Sequence, residues 1–164
     1  MAVLGALALL ALIVALAAVF SLGPFGDSGG GTTLTRAQFT AEADQACQQA
    51  HDKYAELQKS PPNSAQGAAD LTQNLIDISE NELGQIRALD APQEVQPALD
   101  RYLAAREQGI AELKKGLEAA QARNARGYAD AQAKIAAGQV HRLKLARTVG
   151  FSQCSRVSQG ASGQ

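Results

Sequence analysis

Apolar residues recur every three or four positions through most of residues 35–156, the spacing that puts them on one side of an α-helix. Thr35 followed by Gln38 has the form of a capping box, and behind it Phe39, Ala43, Ala46, Cys47, Ala50, Tyr54 and Leu57 form the first stripe. The segment SPPN at 60–63 ends that helix, because proline cannot continue it. A second stripe of Leu71, Leu75, Ile78, Leu83, Ile86 and Leu89 stops before Pro92. A third starts near Pro97 with Leu99, Tyr102, Leu103, Ile110, Leu113 and Leu117. Asn124 is positioned to cap a fourth, which presents Tyr128, Ile135, Val140, Leu143 and Val149 and ends at Gly150. No stretch alternates with the period of a strand, and no hairpin turn signal occurs. Short links between helices of roughly 24–27 residues make neighbours antiparallel. The expected fold is all-α, an up-down-up-down four-helix bundle over residues 35–156, with a disordered tail at 157–164.

The N-terminus follows a different pattern. Residues 2–22 are apolar and carry no charge. A spanning helix needs about 20 such residues and a signal-peptide core about 7–15, so length favours an uncleaved, single-pass anchor. The run has no Lys or Arg before it, and small residues at Ala15 and Ala17 allow the alternative of cleavage and secretion. Either way residues 35–156 are expected outside the cytoplasm. Residues 23–34 are a Gly/Ser-rich linker whose span is about 20 Å, which holds the bundle near the membrane.

Composition adds two constraints. Aromatics make up only 4% of the chain, and alanine supplies much of the apolar content, which points to closely packed helices without room for a ligand-sized pocket of ~300 Å³. The net charge of −1 argues against nucleic acid as a partner. It conceals an asymmetry: residues 24–100 carry four basic and twelve acidic side chains, and residues 101–164 eleven basic and four acidic. The two halves can pair with each other or stay as solvated faces.

Candidate chemistry is sparse. Cys47 and Cys154 are the only cysteines. In an exported chain an even count favours a disulfide, and antiparallel packing brings the end of helix four beside the start of helix one. A rarer reading adds His51, one turn from Cys47, and His141 to give a Cys47–His51–His141–Cys154 zinc site, although His141 lies well short of Cys154. A Cys47–His51 nucleophile pair lacks a visible third residue or oxyanion hole. Glu80 and Glu82 fall on different sides of their helix and cannot form a matched acid–base pair. No Glu-x-x-His pair or phosphate-binding glycine loop occurs, and no cofactor is implied. The tyrosines Tyr54, Tyr102 and Tyr128 read as core. Arg142, Lys144, Arg147 and Arg156, with His141 beside them, form a basic cluster. It suits the negative end of the helix dipole, and it also suits anionic lipid headgroups if that end faces the membrane.

Three segments, LTRAQFTAEADQAC, IRALDAP and LARTVGFSQC, are similar to those of a loose group of small exported or membrane-anchored helical proteins of actinobacteria. The likeness covers roughly residues 34–156. It implies a helical bundle with Cys47 paired to Cys154, and it brings no catalytic residues. The expected function is therefore a membrane-tethered extracytoplasmic interaction module of the bacterial envelope, held by residues 2–22, that meets an envelope protein or anionic lipid without catalysis. The alternative is a carrier of a small ligand or metal in a pocket between the helices.

Overall fold

The computed structural model describes residues 34–157. The expected anchor at 2–22, the linker before Leu34 and the tail beyond Val157 lie outside the described residues. Within them there are four α-helices and no strand: α1 (Arg36–Leu57), α2 (Ala65–Arg87), α3 (Gln96–Gln121) and α4 (Ala125–Val149). None of these helices is long and apolar enough to cross a membrane.

The helix ends follow from their sequences. The Thr35 hydroxyl oxygen accepts a hydrogen bond from the Gln38 backbone N–H, and the Thr35 backbone N–H donates to the Gln38 side-chain oxygen, the reciprocal arrangement that satisfies two orphan donors. Ser64 and Asn124 cap α2 and α4 through Gly67 N–H and Gly127 N–H. Pro97 enters α3 in its first turn, where a missing N–H costs nothing. Gly150 ends α4 with φ of 108°, a conformation that L side chains resist. Gly150→Ala should therefore cost about 1–2 kcal/mol. Chemical denaturation would show this as a lower midpoint with an unchanged slope, and an unmoved midpoint would contradict it.

Each helix packs against the next in sequence, in opposite directions. The α2–α3 pairs Arg87–Glu107 and Glu80–Lys114 run in opposite order along the two helices. Arg36 at the start of α1 reaches the Val149 carbonyl at the end of α4. The arrangement is that of a helical bundle. It contains two apolar clusters. The first joins Phe39, Ala43, Ala46 and Cys47 of α1 to Ile86, Leu99, Tyr102, Ala146, Val149 and the residues after α4, Phe151 and Cys154. Phe151 is its hub, with ring centres 5.7 Å from Phe39 and 5.4 Å from Tyr102, the latter edge-to-face. The second cluster consists of Ile76, Leu83, Ile110 and Leu113, with Leu75, Leu103, Leu117 and Ile135 against it. It has no member from α1. The first helix thus seals one end of the bundle and leaves the middle less filled.

Three sequence expectations change. Helices α1 and α2 have 22 and 23 residues, shorter than the periodicity suggests. Helix α2 is rotated from the expected phase: Ala69, Thr72, Ile76, Ser79 and Glu82 are buried with Leu83 and Ile86, while Leu71, Leu75 and Ile78 are only half-buried. Val140, expected on the inner stripe of α4, is 77% exposed.

Candidate functional site

Between the two apolar clusters lies a cleft of about 230 Å³, lined by all four helices and by the residues after α4. It stays below the ~300 Å³ that the alanine seams were expected to exclude, yet the helices do not close over it completely. Small side chains close the gap only where the backbones meet. Helix α1 contributes no residue to the second cluster, and the cleft opens beside its Cys47, His51 and Tyr54.

The floor of the cleft is polar. Glu82 on α2 is buried and meets Arg106 on α3, with Arg106 Nη2 2.5 Å from Glu82 Oε2. The Tyr102 hydroxyl lies 3.5 Å from Glu82 Oε1, and Cys47 Sγ lies 3.3 Å from the same oxygen. Ser79 donates to the Leu75 carbonyl at 2.7 Å, which commits its single proton. Tyr54 must then be the donor in the 2.7 Å hydrogen bond between Tyr54 and Ser79. His51 Nε2 is 3.1 Å from the Gln153 carbonyl.

Burial pushes Glu82 above the usual carboxylate range, against the opposing pull of Arg106 and His51. Burial also raises Tyr54 and Tyr102, so both stay neutral donors. For Arg106 burial works against the charge, but the Glu82 carboxylate beside it outweighs this and holds the guanidinium protonated. Arg106 Nε is buried without a hydrogen-bond partner.

The cysteines come together at one edge of this cleft. Cys47 and Cys154 form a disulfide with Cα atoms 5.1 Å apart. Asp44, one turn before Cys47, is what places Cys154. Its carboxylate accepts from Ser152 N–H (2.9 Å), Ser152 Oγ (2.6 Å), Gln153 N–H (2.7 Å) and Cys154 N–H (3.3 Å). One side chain thereby satisfies the turn that follows Gly150.

The zinc reading does not survive this geometry. Both sulfurs are consumed by the disulfide, His141 is exposed on α4, and no group of three or more metal-binding side chains converges among the described residues. The basic cluster also divides. Lys144, Arg147 and Arg156 are exposed, but Arg142 is half-buried and turns into the cleft, where it donates to the Ile135 carbonyl at 2.8 Å. Its direction thus differs from that of its three exposed neighbours. The asymmetry of charge is partly resolved by pairing, since Glu80 and Glu82 from the acidic half meet Lys114 and Arg106 from the basic half.

Sequence reading missed Asp44, Ser79, Glu82 and Arg106 as site residues. A signal existed for the last two. Glu82 falls between Ser79 and Ile86, and Arg106 between Tyr102 and Ile110, each in phase with a buried stripe. A charge in such a position requires a partner.

The chain matches no protein-family model, no curated protein and no solved structure.

Proposed function

We propose that this chain is a non-catalytic binding module of the bacterial envelope, tethered by residues 2–22, which takes a small molecule into the cleft between its helices. The observation that carries this reading is the cleft itself, where buried polar side chains and aliphatic side chains from four helices line one space. Its ~230 Å³ is just below the ~300–1,000 Å³ usual for small-molecule sites, so the ligand is small. A docked protein partner has less support. The exposed large hydrophobic residues among those described are Val140 and Val157, too few for an apolar binding patch. Catalysis has little to draw on, because Glu82 and Arg106 neutralise each other and both thiols are joined.

The test uses the full chain in nanodiscs and ligand-observed NMR with small anionic, cationic and neutral fragments. At least one class should bind, and Ile135→Trp, which fills the cleft, should abolish the signal. Absence of any binder, or binding that Ile135→Trp leaves intact, would sink the proposal. Retention of the same chain in carbonate-washed membranes is the expected result for the tether, and its release would remove that part of the reading.

A further inference from the structure

We infer that the cleft selects a small amphiphilic monocarboxylate, whose carboxylate is held by Arg142 and whose apolar body lies against Leu75, Ile110, Leu113, Ile135 and Leu143. The inference deepens the proposed binding function and rests on it.

Charged side chains of both signs face the cleft. Glu82 is the one carboxylate among its lining residues, and Arg106 is already committed to it at 2.5 Å. Arg142 is left over. No carboxylate forms an ion pair with it among the described residues, and its recorded protein partner is the single Ile135 carbonyl. A guanidinium carries five N–H donors in a planar fork that matches a carboxylate, so most of this fork is unspent. Arg156 adds a second cation at the rim, where its side chain bonds to Gln153. The fixed charge of the cleft is thus positive with its cation set inward.

The packing around Arg142 holds it there. Gly138, one turn earlier on α4, leaves the space that the guanidinium occupies: a Cβ at that position would come within 2.5 Å of Arg142 Nη1. Gly109 on α3 lies on the other side, where a Cβ would stand 3.5 Å from the same atom, an ordinary contact. Glycine inside a helix is unfavourable by about 1 kcal/mol relative to alanine, so Gly138 beneath this side chain has a local reason. Burial and the neighbouring Arg106 both press Arg142 towards losing its charge, a cost that a bound anion would relieve.

The aliphatic lining settles the rest of the ligand. Five aliphatic side chains offer nothing to a second charge, and a bare inorganic anion would leave them facing water. Gln132 and Gln139 on α4 supply neutral hydrogen-bonding groups to the same cleft. A short carboxylic acid with an alkyl or aryl body meets all of these demands.

The test measures binding to the full chain in nanodiscs with hexanoate, hexan-1-ol, hexylamine and inorganic phosphate. Hexanoate should bind at least about tenfold more tightly than any of the other three. Its affinity should fall to that of hexan-1-ol as the pH drops through the ionisation of the acid itself, a readout that needs no variant. Arg142→Gln should weaken hexanoate about tenfold while leaving hexan-1-ol unchanged, which also reports that the cleft is intact. Equal or tighter binding of hexan-1-ol, hexylamine or phosphate, or no pH dependence, would overturn the carboxylate assignment and leave cleft binding standing. Failure of all four probes would overturn the assignment; failure of the whole fragment panel as well would remove the function beneath it.

Discussion

Opening the Cys47–Cys154 bridge should lower folding stability by ~2–5 kcal/mol, a large part of the ~5–15 kcal/mol that a domain of this kind has. The bond closes a loop of 107 residues, nearly the whole bundle, so its removal returns much conformational freedom to the unfolded chain. Losses in the folded state are smaller. Asp44 would still hold the backbone of Ser152 and Gln153, and Phe151 would still pack between Phe39 and Tyr102. The protein should therefore remain folded when reduced, but with a lower denaturation midpoint. Guanidinium titrations with and without reductant measure the difference, and the Cys47→Ala/Cys154→Ala double variant should match the reduced protein. A midpoint that reductant does not move would show that the bridge is energetically idle. A double variant far less stable than the reduced protein would place the effect in core packing rather than in loop closure.

Residues with strong local signals were legible in the sequence. Thr35 with Gln38, Asn124 and Gly150 each mark a helix end by chemistry that acts within one turn, and the structure uses all of them. The two cysteines were legible because an even count in an exported chain favours pairing and antiparallel packing puts the end of α4 beside the start of α1. The rotation of α2 was not. Its buried side includes Thr72, Ser79 and Glu82, which a hydrophobic pattern scores as outward-facing. Thr72 is tolerated inside because it donates to the Ala68 carbonyl, and Ser79 because it bonds both to Leu75 and to Tyr54 from another helix. Glu82 is tolerated only because Arg106 arrives from α3. Such pairings join residues that the sequence separates by 24 or 25 positions, and no local period contains them. Arg142 failed for a related reason. On an alanine-rich helix a basic side chain near the C-terminus has a sufficient local explanation in the helix dipole, and no hydrophobic pattern marks Gly138, one turn earlier, as the opening that its guanidinium fills. Val140 is the converse case, an apolar residue that the stripe suggested and that the fold leaves in solvent.

Arg106→Met should be the most damaging single substitution in the floor of the cleft, costing ~3–5 kcal/mol at neutral pH. The side chains of Arg106 and Glu82 are 20% and 5% exposed, so little solvent screens their pairing. The substitution leaves a buried carboxylate with no counter-charge beyond His51, and that stranded charge accounts for most of the cost. The penalty must also depend on pH, with a definite sign. Burial already raises Glu82 in the folded protein above the usual 4.5, so the folded state holds this proton more tightly than the unfolded one. Its contribution to stability is fully present below the unfolded value and is lost as pH rises through the folded value. Removing Arg106 takes away the main influence that lowers Glu82, which moves the folded value higher still and widens that window. The destabilisation by Arg106→Met should accordingly be greatest near neutrality and shrink as the pH falls towards the unfolded carboxylate range. Glu82→Gln provides the reference, because it keeps the shape of the protonated acid and should remove this part of the pH dependence. In the Arg106→Met/Glu82→Gln double variant the loss should be smaller than in Arg106→Met alone, since no charge is then stranded. Denaturation midpoints of the four proteins across pH 4 to 8, with the disulfide intact, would show this coupling. A cost for Arg106→Met below ~1 kcal/mol, the scale of an exposed pair, or one equal at every pH, would mean that the Glu82 site is effectively solvated.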